Sequence, residues 1–158
     1  MGSGKSTIAE LLSKELNLEL FEQDDIIRDS SGYDSISKIF KEKGEDYFRD
    51  LETKVLKDIF TKDNFSLSTG GGIIMREENR EIIKNSNSKV VFIETDFETS
   101  AKRCLGKNIP LFQDSDKAFE LYQYRKPIYQ ELADITVQNV DISPEETKNK
   151  VLELLDLT

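Results

Sequence analysis

The segment GSGKST at the start of the chain has the residue types of a phosphate-binding loop. Its last glycine, lysine and serine match the end of the Walker A pattern G-x-x-x-x-G-K-[ST]. Glycines let neighbouring backbone N–H groups turn toward phosphate oxygens, the lysine adds positive charge, and the serine hydroxyl can ligate Mg²⁺. The alternative is a flexible tail of small residues. We predict phosphate binding by Gly2, Ser3, Gly4, Lys5, Ser6 and Thr7.

Two carboxylates, Glu22 and Asp24, follow an apolar segment in the sequence FEQDDII. A pair at this spacing can serve a Mg²⁺ ion with one member and a substrate hydroxyl with the other. The alternative is an acidic N-cap of the helix that follows.

Two arginines are further candidates, each with a structural alternative. Arg49 stands four residues after Glu45 and three before Glu52 in GEDYFRDLE, a spacing that also produces a salt-bridge cluster on a helix surface. Arg125 precedes Pro127 late in a predicted helix, where a cation interacts favourably with the helix end.

Three consecutive glycines, Gly70, Gly71 and Gly72, follow a predicted strand in STGGGII. Three glycines after a strand lower stability unless the backbone must approach something closely. A tight turn without a functional role rarely needs all three, so we predict close approach to a ligand.

The elements that must position these residues alternate along the chain. Hydrophobic periodicity and capping residues predict helices at 5–15, 36–42, 45–60, 77–84, 98–105 and 115–132, with a last helix that begins at Ser143 and Pro144. Strands are predicted at 18–21, 65–68, 89–95 and 135–137. The alternation favours an α/β fold with a parallel sheet between helices, in which ligands bind beyond the carboxyl ends of the strands. The loops at 2–6, 22–24 and 70–72 should therefore converge.

The composition excludes several classes of function. A net charge of −9 argues against nucleic acid or an anionic membrane as a partner. The single cysteine, Cys104, cannot form an internal disulfide, and no apolar run is long enough to span a bilayer, so we expect a cytoplasmic protein. We also expect a monomer, although neither observation determines the oligomeric state. The sequence has no histidine, so catalysis would depend on Asp, Glu, Lys, Arg and backbone donors.

Together these segments resemble the shikimate kinase family. The resemblance covers nearly the whole chain and is carried, in order, by MGSGKST, FEQDDII, IFKEKGEDYFRDLE, STGGG, IPLF, YRKPIYQELAD and SPEE. The succession of GEDYFRDLE and TGGG is more specific than the Walker A residues alone. The resemblance implies a three-layer P-loop kinase fold and transfer of the ATP γ-phosphoryl group to the 3-hydroxyl of shikimate, with Mg²⁺, in aromatic amino acid biosynthesis.

The resemblance also implies a role for each candidate residue. Shikimate would be bound by Asp24, Arg49, Gly70, Gly71, Gly72 and Arg125. ATP would be bound by the Walker A residues with Arg103 and Pro144, and Mg²⁺ by Ser6 and Glu22. Asp24 would accept the proton of the reacting hydroxyl, and Lys5 would stabilise the transferring phosphate. A helical insert at about 25–60 and a lid at about 105–115 would belong to one kinase domain, 1–158.

The sequence departs from the family pattern at three places. No strand precedes the Walker A residues, although that strand is central in the family's sheet, so we expect Met1 to be an internal methionine of a longer natural chain. Glu22 stands where the family usually has aspartate, which affects metal geometry. Ile109 stands where the mobile lid has an arginine that faces the transferring phosphate, although Lys107 or Arg103 could compensate.

Because of these departures, two alternatives to an active shikimate kinase stay open on the sequence. One is a non-catalytic binding or regulatory protein that keeps the substrate-binding residues. The other is a related kinase of another small hydroxylated acid.

Overall fold

The computed structural model describes residues 2–104 and 114–157. Contacts between residues group the chain into two compact units, which we call the terminal unit (Met1–Leu11 with Ser88–Thr158) and the central unit (Leu12–Asn87). The described strands pair in parallel within two-stranded sheets, one in each unit. Helices and strands alternate as expected, which confirms the α/β class.

The central unit is built on the parallel pair β1 and β2. Its elements are β1 (Glu19–Glu22), α2 (Gln23–Ser31), α3 (Ile36–Ile59), β2 (Phe65–Ser68), a 3₁₀ turn (Ile73–Met75) and α4 (Glu77–Lys84). The register runs from Glu19 opposite Phe65 to Glu22 opposite Ser68. Apolar side chains of α2 and α3 form its core, which comprises Ile27, Ile39, Phe48, Val55 and Ile59.

The long helix α3 contains a sharp kink at Gly44. This glycine has φ 84° and ψ 173°, a backbone conformation that is almost restricted to glycine. The sequence predicted two helices, at 36–42 and 45–60, and the kink at Gly44 divides α3 into two helical segments at this place. The kink separates the N-terminal segment from the segment that carries Arg49 and Glu52.

The terminal unit is built on the parallel pair β3 and β4. It contains the start of α1 (Lys5–Glu15), β3 (Val91–Glu94), α5 (Phe97–Cys104), α6 (Ser115–Leu132), β4 (Ile135–Gln138) and α7 (Pro144–Leu154). The register runs from Val91 opposite Ile135 to Glu94 opposite Gln138. Helix α7 starts with a capping box, in which Ser143 and Glu146 satisfy each other's backbone N–H groups.

Helix α2 was not among the helices predicted from periodicity, although the resemblance implied a helical insert from about residue 25. Helix α2 contains three aspartates and two serines among nine residues, and these are poor helix formers. Tertiary packing overrides this preference, because Gln23 and Ile27 of α2 are completely buried.

Two further sequence predictions concern the lid and the membrane. Residues 105–113, which include Lys107, Ile109 and nearly all of the expected lid, lie outside the described residues. Within residues 2–104 and 114–157, no helix is both long enough and apolar enough to cross a membrane.

Candidate active site

The predicted phosphate-binding segment of the terminal unit, residues 2–7, has the backbone that its glycines predict. Gly2 and Gly4 both have positive φ, at 71° and 84°. A Cβ atom on Gly2 would stand 2.6 Å from the carbonyl oxygen of Ser100 and 3.0 Å from Cys104 Sγ, so α5 leaves no room for a side chain there. Both glycines are therefore required by backbone conformation, and Gly2 also by packing.

Helix α1 begins directly after this segment. The carbonyl of Gly4 accepts a hydrogen bond from Ile8 N–H (3.0 Å), which places Lys5, Ser6 and Thr7 in the first turn. The first N–H groups of a helix lack partners within the helix, and its dipole favours an anion at this end. The turn can therefore present N–H groups, a lysine and two exposed hydroxyls to a phosphate.

Arg103 and Pro144 both belong to the terminal unit. Arg103, on α5, donates a hydrogen bond from Nη1 to the carbonyl of Gly2 (3.4 Å). Pro144 is the exposed first residue of α7. The structure thus brings Arg103 to the phosphate-binding segment and leaves Pro144 accessible at the start of a helix.

Arg49 of the central unit is the most constrained of the predicted site residues. Its Nη1 lies 2.5 Å from Glu52 Oε2, and its Nη2 and Nε donate to Glu45 Oε1 at 2.9 and 3.2 Å. Its guanidinium also lies 5.3 Å from the ring centroid of Phe48. The salt-bridge cluster expected as the alternative is therefore present, but Arg49 and Glu52 are buried rather than exposed on a helix surface.

The charge state of Arg49 follows from these partners. Burial lowers the pKa of the Arg49 guanidinium, but the hydrogen bonds and charges of Glu52 and Glu45 outweigh burial, so the pKa is raised overall. The three hydrogen bonds to carboxylates use three of the five N–H groups of an arginine side chain. An oriented, permanently charged guanidinium with remaining donor capacity can bind a third carboxylate in addition to Glu45 and Glu52.

The glycine-rich loop lies against Arg49 and Asp24. A Cβ atom on Gly72 would overlap the Arg49 guanidinium, with Cζ only 2.5 Å away. A Cβ atom on Gly70 would stand 3.1 Å from both Asp24 Oδ1 and Glu52 Oε1. The glycines therefore leave space for two carboxylates and one guanidinium that converge on the same loop. The groups that the loop approaches here belong to the protein, and its approach to a ligand stays a prediction.

The sequence analysis missed the residue that connects the glycine-rich loop to α3. Gln23, at the start of α2, is completely buried. Its Nε2 donates to the carbonyl of Glu52 (3.1 Å), and its Oε1 accepts from Gly70 N–H (3.2 Å). Gln23 thus fixes the glycine-rich loop to α3, beside Asp24. The only signal in the sequence is a polar residue between two acids at a strand end.

Two neighbouring residues of α4 hold the other end of the glycine-rich loop. Asn79 Nδ2 donates to the carbonyl of Ile73 (3.0 Å), and Arg80 Nη1 donates to the carbonyl of Ile74 (2.7 Å). These carbonyls belong to the 3₁₀ turn that directly follows Gly72. The loop is therefore fixed on both sides of its glycines.

Arg125 lies on α6, in the terminal unit. Its Nε atom is buried and has no hydrogen-bond partner among residues 2–104 and 114–157. The helix around it is anchored to the end of β3, because Lys126 Nζ pairs with Glu94 Oε1 (2.5 Å) and Tyr122 donates to the carbonyl of Thr95 (3.2 Å). A buried guanidinium atom without a partner is unusual, and it is compatible with a role in binding an anion.

The donor set for a metal ion is sparse. No cluster of three acidic, cysteine or histidine side chains suited to a metal occurs among the described residues. Ser6 is exposed in the first turn of α1, and Glu22 is half-buried at the end of β1. Ser6 belongs to the terminal unit and Glu22 to the central unit, and each offers a ligand type that suits Mg²⁺, which keeps several waters and is usually bound by one or two protein groups together with substrate phosphates.

The predicted residues thus form two groups. The central unit brings together Asp24, Arg49, Gly70 and Gly72, with Gly71 between the glycines and Glu22 at the end of the adjoining strand. The terminal unit brings together the Walker A residues and Arg103, and it also contains Arg125 and Pro144. The predicted convergence is observed for the loops at 22–24 and 70–72.

Comparison with known proteins gives a consistent picture. A family model described as shikimate kinase matches residues 1–156. A shikimate kinase from Dehalococcoides mccartyi is 42% identical, in an alignment that covers 98% of this chain and 89% of the relative. A shikimate kinase from Aquifex aeolicus is 40% identical, with 99% of this chain and 92% of the relative covered.

A solved structure agrees with these sequence matches. The structure of the shikimate kinase from Acinetobacter baumannii in complex with shikimate matches with a TM-score of 0.92 and 33% identity. The match covers 98% of this chain and 88% of that chain.

Proposed function

Because the chain belongs to the shikimate kinase family, we propose which of its residues bind each substrate and which group accepts the proton. The chain is an ATP-dependent phosphotransferase that acts on an alcohol group of shikimate, with Mg²⁺ and ATP as family requirements. The matches do not favour a non-catalytic protein or a kinase of another acid. Cytoplasmic location and the monomeric state stay predictions from the sequence.

The observation that carries the assignment of the acceptor site is the pairing of Gly72 with Arg49 and of Gly70 with Asp24. One glycine-rich loop has a fixed guanidinium at one glycine and a carboxylate at another. Shikimate is a small, rigid molecule with a carboxylate and three hydroxyls. A guanidinium suits the carboxylate, an acceptor carboxylate suits a hydroxyl, and backbone N–H groups of Gly71 and Gly72 can add contacts, while Gly70 lines the site with its N–H bound to Gln23.

Asp24 is the proposed proton acceptor. It is exposed in the first turn of α2, next to Gln23, which is hydrogen-bonded to the glycine-rich loop. In the reaction, a bond forms between the 3-hydroxyl oxygen of shikimate and the γ-phosphorus, the bond to the β–γ bridging oxygen breaks, and the hydroxyl proton passes to an Asp24 oxygen. Arg125 is proposed as the second cation for the shikimate carboxylate.

Lys5 and the first turn of α1 are proposed to bind the nucleotide phosphates, with Arg103 and Pro144 as further contacts to the nucleotide. Phosphoryl transfer depends mainly on positioning and on neutralising charge, so a chain without histidine can perform it. Ser6 and Glu22 would hold Mg²⁺, which supplies charge neutralisation at the phosphates when bound.

The direct test is shikimate-dependent release of ADP by the purified, folded chain with Mg²⁺ and ATP. We expect turnover that requires shikimate, and we expect Asp24→Asn to reduce kcat by roughly 100-fold or more while ATP still binds. A matched control is Asp25→Asn, which changes the exposed neighbouring aspartate that pairs with Arg28. Equal loss of kcat in both variants would contradict the assignment of Asp24.

A further inference from the structure

We propose that Asn139 is a positioning residue that sets the orientation of the Ser3–Gly4 peptide in the phosphate-binding segment. The inference rests on the proposed nucleotide site. Asn139 directly follows β4 and is only 5% exposed. Its Nδ2 donates a hydrogen bond of 2.6 Å to the carbonyl oxygen of Ser3, across 136 residues of sequence. A carbonyl oxygen can only accept, so the side-chain amide must present its NH₂ group to Ser3.

This hydrogen bond controls the direction of an N–H group. In a trans peptide the C=O and the following N–H point in nearly opposite directions, because the peptide unit is planar. The Ser3 carbonyl points toward the buried Asn139, and therefore the Gly4 N–H points away from it. The positive φ of Gly4 (84°) turns the backbone at this residue, so the Gly4–Lys5 peptide does not continue in the direction of the Ser3–Gly4 peptide. Asn139 thus fixes one of the N–H groups from which a phosphate-binding loop is built.

The close approach of Asn139 also explains part of the requirement for Gly4. A Cβ atom on Gly4 would stand 3.1 Å from Asn139 Nδ2, which is tighter than an ordinary contact. Gly4 is therefore required for two reasons. It adopts a positive φ, and its lack of a side chain leaves room for the Asn139 amide that orients the Ser3–Gly4 peptide.

Asn139 is itself held by three groups of the terminal unit. Its backbone N–H donates to the carbonyl of Glu94 (2.7 Å), and its carbonyl accepts from the Thr95 hydroxyl (3.3 Å), so the ends of β3 and β4 stay together. The completely buried Thr147 of α7 has its hydroxyl 3.2 Å from Asn139 Oδ1 and 3.0 Å from the Ser143 carbonyl, and its one hydrogen is shared between them.

These contacts form one continuous chain of hydrogen bonds. It leads from the Ser3 carbonyl through the Asn139 side chain to Thr147, and from there to Ser143, the N-cap of α7. The residue after Ser143 is Pro144, which is proposed to contact the nucleotide. Asn139 and Thr147 therefore connect the phosphate-binding segment to the start of α7. Both ends of this chain of hydrogen bonds are proposed to contact the nucleotide, and neither is proposed to contact shikimate.

The test compares the affinities for ADP and for shikimate, measured separately by calorimetry. Asn139→Ala removes both side-chain hydrogen bonds. Thr147→Val removes only the hydroxyl at similar volume, and Thr147→Ser restores it. Asn149→Ala, at an exposed asparagine of α7, is the matched control. Melting temperatures are recorded for every variant.

We expect Asn139→Ala to raise the dissociation constant of ADP about tenfold, the size of one or two hydrogen bonds, and to leave that of shikimate within about twofold. Thr147→Val should raise the dissociation constant of ADP by a smaller factor, and Thr147→Ser should keep this constant close to the wild-type value. These results would support the positioning role.

A purely structural role gives a different pattern. If Asn139→Ala lowers the melting temperature but leaves ADP affinity within about twofold, or weakens both ligands equally, the inference is overturned. Should Asn139→Ala fail to fold, Thr147→Val and Thr147→Ser decide by the same comparison. A wild-type chain that binds shikimate but no ADP would instead overturn the nucleotide site of the proposed function.

Discussion

At the scale of single residues, Arg49 is held in place by the protein itself. Glu52 and Glu45 pair with its guanidinium, and the rings of Phe40 and Phe48 lie 5.9 and 5.3 Å from it. A fixed guanidinium loses little conformational entropy when a ligand binds, which strengthens binding. Removing Arg49 would take the guanidinium partner away from the buried Glu52, at a cost of about 3–5 kcal/mol, so the proposed binding role of Arg49 is better tested through a neighbour.

Gly72→Ala provides that test. Gly72 has φ −89° and ψ −4°, a negative-φ turn conformation that residues other than glycine also adopt. Its new Cβ would instead displace the Arg49 guanidinium, with Cζ 2.5 Å away. We expect the KM for shikimate to rise roughly ten- to hundredfold, with little change in the KM for ATP, because displacement by even about 1 Å disrupts such a contact. Steady-state kinetics with each substrate varied in turn measures both values.

A double-mutant cycle supplies the control. If Gly72→Ala acts only through Arg49, combining it with Arg49→Lys should cost less than the sum of the two single effects. Simple additivity would mean that Gly72 contacts shikimate independently of Arg49. A rise in the KM for ATP equal to that for shikimate would contradict the assignment of this loop to the acceptor.

How much of the site could be predicted depended on the distance along the sequence between its members. The Walker A residues and TGGG are contiguous, so local pattern singled them out as candidates. Arg49 lies within four residues of both acidic partners, so local spacing predicted its salt-bridge cluster, whereas its binding role was implied only by the family resemblance. Gln23 binds Gly70 across 47 residues, and Asn139 binds Ser3 across 136. Those contacts exist only in the folded chain, and a single glutamine or asparagine carries no pattern that predicts them.

At the scale of secondary-structure elements, the kink in α3 determines the direction of the segment that carries Arg49. Gly44 and Gly32 both have positive φ, and a Cβ atom on either would meet nothing within 4 Å. Their backbones differ, however, because Gly44 has ψ 173° and Gly32 has ψ 13° in a left-handed C-cap. Asparagine tolerates the left-handed C-cap but not the conformation of Gly44.

We therefore expect Gly44→Asn to lower the free energy of unfolding by roughly 1–3 kcal/mol. The matched variant Gly32→Asn should cost less than about 1 kcal/mol, because αL is open to asparagine. Urea unfolding curves with unchanged slope measure both values. Equal midpoints for the two variants would show that α3 straightens at Gly44 without strain.

Helix α5, which packs against Gly2, begins with a charged cap. Asp96 accepts hydrogen bonds from the N–H (2.8 Å) and the hydroxyl (2.9 Å) of Thr99, and these lower the pKa of its carboxyl group. A carboxyl with a lowered pKa in the folded state stabilises the fold above its unfolded pKa of about 3.9. That contribution is lost as the pH falls through the folded value.

Asp96→Asn should therefore weaken the dependence of stability on pH below about pH 4, while the wild-type chain loses stability steeply there. Thr99→Val, which removes only the hydroxyl donor, should weaken it by a smaller amount. Chemical unfolding at a series of acidic pH values measures the slope. If both variants retain the wild-type slope, the cap does not contribute to acid unfolding.

Helices and strands were predictable from the sequence where the local residue pattern favours the same structure as the packing of the folded chain. The bounds of α1, β2 and α4 match those expected from periodicity and turn residues. Helix α2 is an exception, since its aspartates and serines are poor helix formers and the complete burial of Gln23 and Ile27 helps to stabilise it. Propensity acts within a few residues, whereas this burial depends on α3.

At the scale of the whole molecule, two anionic substrates bind a chain with a net charge of −9. Net charge acts through water and is screened within about 10 Å at moderate salt. On the proposed assignment, binding depends instead on a few oriented cations, of which Lys5 lies in the terminal unit and Arg49 is buried in the central unit. The two ligands should therefore stabilise the chain through separable groups of residues.

Ligand-induced shifts in melting temperature test this separation on the intact chain. A ligand at 100 times its dissociation constant stabilises the fold by about 2.7 kcal/mol, or roughly 5–10 °C for a chain of this size. Lys5→Met should abolish most of the shift caused by Mg²⁺–ADP and retain the shift caused by shikimate. Arg49→Lys should do the reverse, because lysine keeps the charge but loses the planar, paired donors. If either variant loses both shifts while its unliganded melting temperature stays at the wild-type value, Lys5 and Arg49 do not act on separate ligands.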